Sequence, residues 1–273
     1  MPDSSLKGLY EPLANIDAYL ERIGFDGQLE ATLPCLQNLM LGQLQNIPFE
    51  DLDVFHGHKE PSLETKALFD KLIINKRGGY CFELNGLFGR LLQAAGFTVR
   101  SLMARVVWHY PHLTPPSHQA NIVTIDGKDY FCDVGFGGPI PYCPLPLILE
   151  EVQTCCVTGR TYRFTKAGNQ ITIAAEFEGG YKPMLMLLDS PCDPVDFVPL
   201  NCFCAHSPIE PFLHKQMVWL AAKEGRRSID GDVLRIETKG ITTETKLATE
   251  EDLRQALKTY FGICYNEAFS DWH

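Results

Sequence analysis

Residues 77–85 read Arg77-Gly78-Gly79-Tyr80-Cys81-Phe82-Glu83-Leu84-Asn85 and place a cysteine directly after a glycine turn. After Cys81, apolar residues recur at intervals of three and four, which predicts a helix that stops at Gly96. The residues of this apolar face are Leu84, Leu87, Phe88, Leu91, Leu92 and Ala95. At the first turn, backbone N–H groups without intrahelical acceptors and the helix dipole favour a thiolate. Cys81 is therefore predicted to be a nucleophile.

Most of the ten cysteines are expected to be packing residues. A free cysteine behaves mainly as a small, buried hydrophobic residue. Cys81 is the exception because only this cysteine combines a glycine turn, a helix start and suitable partners further along the chain. The pattern therefore points to one reactive thiol among many inert ones.

The composition is that of a globular chain, with 273 residues, 45% hydrophobic and 21% charged, and it excludes extensive disorder. Its 24 basic and 34 acidic residues give a net charge of −10, so nucleic acid is not an expected partner. Residues 1–7 do not resemble a secretion signal, and no apolar run is long enough to cross a bilayer. We therefore expect a cytoplasmic protein with reduced cysteines and no membrane contact. The number of chains in the assembly stays open.

The pattern along the chain changes twice, which predicts an α+β protein with three segments. Residues 1–96 have the spacing of helices and carry the nucleophile. Residues 97–205 are rich in β-branched and aromatic runs, which favour strands. Residues 206–273 return to mixed strand and helix signals, with Thr249 as the N-cap of a final helix. The division at residues 96 and 205 is a prediction with boundaries uncertain by several residues.

The partners of Cys81 are predicted from a hairpin. Asp126-Gly127 is a strong two-residue turn signal, and it would place His118 opposite Gly135 and diagonal to Asp133 on one face. A thiol, an imidazole and a carboxylate in that order form a nucleophile, a base and a group that fixes the imidazole tautomer. His109 and His112 compete for the role of base, but they flank a proline-rich loop where we expect exposure.

Three glycines and one aromatic residue follow Asp133, in Val134-Gly135-Phe136-Gly137-Gly138. The simplest interpretation is a flexible exit from the strand. The functional interpretation is a loop whose backbone approaches a ligand closely while Phe136 provides an apolar wall.

Taken together, these motifs resemble those of the arylamine N-acetyltransferase family. The matching stretches are IPFEDLDV at 47–54, RGGYCFELN at 77–85, His118 before its strand and turn, DVGFGG at 133–138 and PVDF at 194–197. The two strings RGGYCFELN and DVGFGG are highly specific together, and all the motifs occur in the family's order over most of the first two hundred residues.

The resemblance implies a fold with a helical bundle, a β-barrel-like middle and a C-terminal α/β lid, around a cysteine-protease-like triad of Cys81, His118 and Asp133. It implies acetyl-CoA as cosubstrate, an aromatic amine or hydrazine as acceptor, a ping-pong reaction through an acetyl-cysteine, and no metal. The remaining site residues that it implies are Phe49 and Phe136 as walls of the acceptor pocket, with Gly135 and Gly137 near the acetyl group or coenzyme.

We further expect Glu50 to pair with Arg77 and hold the turn before the nucleophile. Residues 201–206 depart from the family's usual pattern, which leaves the coenzyme contacts of the third segment open. The tail 265–273 matches nothing in that pattern, and its role is open too.

Two other classes of protein remain as alternatives. A thiol hydrolase or transglutaminase-like enzyme would use the same Cys, His and Asp, but it does not account for the motifs IPFE or DVGFGG. A metal-binding protein is suggested by Cys192, Cys202, Cys204 and His206, although their spacing fits no structural zinc pattern well.

Overall fold

The computed structural model describes residues 4–269. Residues 1–3 and 270–273, which include the end of the tail 265–273, lie outside the described residues. The chain forms an α+β fold. Its helices are α1 (Ile16–Ile23), α2 (Leu33–Asn46), α3 (Leu52–Phe55), α4 (Thr65–Phe69), α5 (Cys81–Ala94), α6 (Phe197–His206) and α7 (Glu250–Phe261).

The strands form two antiparallel sheets. The strands are β1 (Phe49–Glu50), β2 (Thr98–Val106), β3 (Pro116–Ile125), β4 (Lys128–Cys132), β5 (Leu145–Pro146), β6 (Val152–Thr154), β7 (Thr161–Ala167), β8 (Gln170–Phe177), β9 (Gly180–Cys192), β10 (Met217–Ala222), β11 (Gly225–Asp230), β12 (Val233–Thr238) and β13 (Ile241–Lys246). The eight-stranded sheet has the order β5-β4-β3-β2-β9-β8-β7-β6, and the five-stranded sheet has the order β1-β10-β11-β12-β13.

The eight-stranded sheet curls into a nearly closed barrel, because its edge strands β5 and β6 lie against each other. Apolar side chains from most of its strands fill the interior, among them Leu102, Ile122, Phe131, Phe164 and Leu187. The Asp126-Gly127 turn joins β3 and β4 with both turn residues at positive φ, and Ile125 is paired with Lys128 as predicted.

Helix α5 begins at Cys81 as the sequence predicts, and Gly96 follows it with φ of +87°. Its apolar face is buried in a core that also contains residues of α2, α4 and α6. The helix packs against β2 and β3 on its other side. This packing brings the start of α5 to the strand that carries His118.

The five-stranded sheet joins distant parts of the chain. Phe49 and Glu50 of β1 pair with Trp219 and Val218 of β10, so the first segment contributes a strand to the C-terminal sheet. Helix α7 covers this sheet and begins directly after Thr249, whose side chain accepts from Asp252 N as an N-cap does. The division of the chain at residues 96 and 205 stays a prediction.

The longest strand, β9, is poorly marked in the sequence. Pro183 and Pro191 interrupt β9, and its pairing shifts register against both neighbours. Proline and irregular pairing remove the alternating pattern by which strands are recognised. Within residues 4–269, no helix combines the length and apolar character needed to span a membrane.

Candidate active site

The thiol of Cys81 lies in the first turn of α5, with only 3% of the residue exposed. Tyr80 precedes the helix in an extended conformation, and its N–H donates to the Glu83 carboxylate over 3.1 Å. The Sγ atom of Cys81 lies 3.6 Å from the carbonyl oxygen of Ser117. The turn therefore presents the thiol to the residue just before His118.

His118 and Asp133 are both buried, and Nε2 of the imidazole lies 2.7 Å from Oδ2 of the carboxylate. Burial alone would lower the pKa of His118. The charges of Asp133 and Cys81 and the hydrogen bonds to both outweigh burial and raise this pKa from 6.5 to about 10. Because Nε2 is engaged by Asp133, Nδ1 is the nitrogen left for Cys81.

The register of the hairpin accounts for the contact between His118 and Asp133, but the strands pair over a shorter length than predicted. Regular pairing of β3 with β4 ends at Asn121 and Cys132, so the predicted opposition of His118 and Gly135 is wrong. The chain leaves the ladder at Asp133, which turns the following loop towards α5. The predicted proximity of His118 and Asp133 is nevertheless present.

Asn85 holds the carboxylate of Asp133 in place, a role that its position in the sequence does not by itself indicate. Its Nδ2 donates to Asp133 Oδ1 over 2.9 Å and to the Gln119 carbonyl over 2.6 Å, and its Oδ1 accepts from Val134 N over 2.9 Å. It lies one helical turn after Cys81 and is fully buried. A polar residue four positions after the cysteine, on an apolar helix, was the available signal.

The glycine-rich loop packs directly over the start of α5. A Cβ atom added at Gly135 would lie 2.8 Å from Cys81 Cα and 2.8 Å from Asn85 Nδ2. Gly137 has φ of +70°, and a Cβ atom there would lie 3.3 Å from the Phe49 ring. Glycine is therefore needed at Gly135 for close approach to the thiol-bearing turn.

The two predicted wall residues lie on different sides of this loop. The ring of Phe136 is partly exposed and meets the His118 ring edge-on, with centroids 5.6 Å apart. Phe49 is 7% exposed and lies in the core that surrounds α5. Its ring centroid is 6.4 Å from that of Phe212. Phe136 thus covers the imidazole, while Phe49 supports the loop at Gly137.

The predicted pair of Glu50 and Arg77 is confirmed. Arg77 donates to Glu50 Oε1 over 2.8 Å and to Asp53 Oδ1 over 2.7 Å, and Glu50 is almost fully buried. Lys71 extends the network by bridging Asp53 and Glu83, each over 2.7 Å. This charged cluster ties β1, α3 and the turn before Cys81 together.

The other histidines and cysteines of the sequence analysis lie elsewhere. His109 and His112 are exposed on the loop between β2 and β3, as expected. Cys192, Cys202, Cys204 and His206 do not form one group. Cys204 is buried with its Sγ 3.6 Å from the Ser117 carbonyl, whereas Cys202 and His206 are exposed beside Glu60.

Two further features border the loop. A cleft of about 880 Å³ lies between the barrel and the C-terminal sheet. Its lining includes Gly138 and Tyr142, the cationic side chains of Arg160, Lys223 and Arg226, and four glutamates, Glu176, Glu178, Glu224 and Glu237. Trp219, which packs edge-on against Tyr142, has a buried indole N–H without an acceptor among the described residues. Neither the cleft nor this donor was anticipated from sequence.

The model of the N-acetyltransferase family matches residues 32–269. The arylamine N-acetyltransferase of Mycolicibacterium smegmatis is 31% identical over 91% of this chain and 92% of its own length. The solved arylamine N-acetyltransferase from Salmonella typhimurium superposes with a TM-score of 0.88 at 29% identity, covering 96% of both chains. The Mycobacterium marinum enzyme, solved in complex with CoA, superposes with a TM-score of 0.84 at 31% identity, covering 91% of this chain and 93% of that one.

Proposed function

The chain belongs to the arylamine N-acetyltransferase family, and from this premise we propose that it moves the acetyl group of acetyl-CoA to the nitrogen of arylamines, arylhydrazines or similar acceptors. In this proposal the reaction is ping-pong and passes through an acetyl-cysteine at Cys81. The catalytic residues are Cys81, His118 and Asp133. The observation that carries the proposal is the buried chain of contacts from Asp133 through His118 to Cys81.

The first half-reaction begins from an ion pair. The raised pKa of His118 keeps a proton on the imidazole at neutral pH, and this positive charge stabilises a thiolate on Cys81. The thiolate attacks the acetyl carbonyl carbon of acetyl-CoA. Backbone N–H groups at the start of α5 stabilise the oxyanion that forms. The bond to the coenzyme sulfur then breaks, and His118 gives its proton to that sulfur, which leaves as CoA.

The second half-reaction reverses the roles. A neutral arylamine attacks the carbonyl carbon of acetyl-Cys81, and the unprotonated His118 takes a proton from the attacking nitrogen. The carbon–sulfur bond breaks, the acetylated amine leaves, and the thiolate and imidazolium are restored. Asp133 keeps the imidazole oriented in both half-reactions. Asn85 keeps the carboxylate in place by donating from Nδ2 to Asp133 Oδ1.

Substrate contacts are assigned from the loop. Phe136, edge-on to His118, and Phe49 would form walls for the aromatic acceptor, and Gly135 and Gly137 would leave room for the acetyl group or coenzyme. The cleft beside Gly138 is the proposed approach for acetyl-CoA. Its lining contains four glutamates as well as cations, and the partners proposed for the anionic phosphates are the side chains of Arg160, Lys223 and Arg226.

The cytoplasm is the proposed compartment, because all ten cysteines are free and a reducing compartment keeps thiols free.

The experiment is incubation with acetyl-CoA and aniline, with both CoA release and acetylated aniline measured. The proposal expects equal amounts of the two products over many turnovers. A thiol hydrolase would release CoA and acetate without acetylated aniline. That outcome would overturn the transferase proposal and favour the hydrolase.

A further inference from the structure

A second group of reactive side chains lies on the outer face of α6. Cys202 and His206 are one turn apart on this helix, and Glu60 reaches them from the loop before α4. The ligand atoms of the three side chains all lie within 4.8 Å of one another. Nε2 of His206 is 3.3 Å from Oε2 of Glu60, and the thiol of Cys202 lies beside both side chains.

We propose that Glu60, Cys202 and His206 bind a divalent transition-metal ion, with Zn²⁺ as the best match and water completing the coordination. Around a tetrahedral ion with bonds of about 2.0–2.3 Å, ligand atoms lie roughly 3.3–3.8 Å apart. The 3.3 Å between His206 Nε2 and Glu60 Oε2 already lies in this range, and every separation in the group is within 4.8 Å. A thiolate and an imidazole select zinc over Mg²⁺ or Ca²⁺, which prefer oxygen ligands.

The carboxylate of Glu60 is already oriented for this role. Nδ2 of Asn201 donates to Glu60 Oε1 over 3.1 Å and to the Pro61 carbonyl over 2.9 Å. Asn201 is itself buried, and its Oδ1 accepts from the hydroxyl of Tyr80. One carboxylate oxygen is therefore held by a fixed amide, and the other faces Cys202 and His206. Such hydrogen bonds behind a ligand are typical of metal sites.

The electrostatics favour a cation at this point. A thiolate on Cys202 and the carboxylate of Glu60 repel each other when no cation lies between them. An ion with two positive charges between them removes this repulsion. Binding would break the sulfur–hydrogen bond of Cys202, form a metal–sulfur bond and release one proton to solvent.

The site is separate from the thiol of the proposed reaction. Cys204 and Cys202 are two positions apart on α6, so their side chains leave the helix in different directions. Cys204 is buried towards Ser117, whereas Cys202, His206 and Glu60 all face solvent. The ion would fasten the loop at Glu60 to α6 and so stabilise the fold, without a part in acetyl transfer.

The test uses metal-free protein that carries Cys81→Ser, because the buried Cys81 and His118 could themselves bind a metal. Titration with Co²⁺ should give one ion per chain, the absorption of a thiolate–cobalt bond and the visible bands of a tetrahedral ion. Titration with Zn²⁺ should displace the cobalt and raise the midpoint of thermal unfolding.

In the same background, Cys202→Ser should abolish the thiolate–cobalt band and weaken Zn²⁺ binding at least tenfold, and His206→Ala should weaken it to a similar extent. The matched control is Cys264→Ser, which removes an exposed cysteine elsewhere and should leave both signals unchanged. The thermal midpoint of each metal-free variant shows whether its fold is intact. Absence of saturable binding, or binding that Cys202→Ser leaves unchanged, would overturn the proposal.

Discussion

Nε2 of His118 lies 2.7 Å from Oδ2 of Asp133, and the residues come from the two sides of one hairpin. Both are buried, so their interaction is weakly screened by water. The contact leaves only one ring nitrogen of His118 for the thiol. The proposed chemistry of this protein depends on that restriction.

Asp133→Asn should lower kcat, and with it kcat/KM, for acetyl transfer by about 10⁴-fold, the scale of the equivalent change in a serine-protease triad. An amide in place of the carboxylate presents an N–H to Nε2, which favours the wrong tautomer. The measurement is steady-state CoA release. Asp129→Asn on the same hairpin is the control, since Asp129 pairs with Arg100 away from the thiol, and it should keep nearly full activity. An Asp133→Asn enzyme with near-normal kcat/KM would refute the role given to the carboxylate.

The titration of His118 should be displaced towards alkaline pH, because Asp133 and Cys81 raise its pKa from 6.5 to about 10. Between these values the folded chain holds a proton on His118 that the unfolded chain lacks. The contribution of His118 to the free energy of unfolding therefore decreases as pH rises through this window. Its stabilising effect is complete below pH 6.5 and lost above about pH 10.

NMR of the imidazole nitrogens measures this titration directly. In Cys81→Ser the midpoint should move down, because one of the negative charges is removed. A His118 midpoint near 6.5 in the unmodified protein would contradict the ion pair.

Gly135→Ala should reduce both stability and activity. The new methyl group would lie 2.8 Å from Cys81 Cα and Asn85 Nδ2, so the loop or the start of α5 must move, at a cost of about 1–3 kcal/mol. Denaturant unfolding and kcat provide the two measurements.

Gly89→Ala is the control for this change. Gly89 lies in α5, and a Cβ atom added there would have an ordinary contact with Asn121 Oδ1 at 3.4 Å. Since alanine favours helix over glycine, this variant should be as stable as the parent or more stable by about 0.5–1 kcal/mol. Equal behaviour of the two variants would show that close approach at Gly135 is not the reason for its glycine.

Arg77→Met should destabilise the fold by about 3–5 kcal/mol, because it leaves the buried carboxylate of Glu50 without its partner. The free energy of unfolding in urea is the measurement. Arg226→Met removes an exposed pair with Glu237 instead, and we expect a loss below about 1 kcal/mol. Similar losses for the two variants would mean that the Arg77 cluster does not support the turn before Cys81.

Lys223→Glu should raise KM for acetyl-CoA several-fold and leave KM for p-nitrophenyl acetate unchanged. Lys223 lines the cleft beside the glycine-rich loop, and only the coenzyme carries phosphates that an added carboxylate repels. Lys128→Glu, at the start of β4, is the matched charge reversal. If KM for acetyl-CoA does not change in Lys223→Glu, the coenzyme does not approach through this cleft.

Local sequence signals were sufficient for part of the site. The spacing behind Cys81 predicts α5, and the parity of the strands around Asp126-Gly127 predicts that His118 and Asp133 lie close together. Both follow from interactions among residues near in sequence, and helix periodicity and strand alternation report those interactions directly.

The remaining features depend on contacts between distant parts of the chain. Asn85 has its role only because α5 packs on β3 and the loop after Asp133 turns towards it. The pairing of β1 with β10 joins residues about 170 positions apart, and no local pattern in a single sequence encodes such a pairing. The contact of Glu60 with Cys202 is likewise one between residues far apart in the sequence.

The most direct measurement is the mass of the intact protein after mixing with acetyl-CoA and no amine. The account predicts one added acetyl group on Cys81, its loss when aniline is added, and no adduct in Cys81→Ser. Acetylated aniline formed by a protein that never carries an acetyl group on Cys81 would contradict the covalent mechanism.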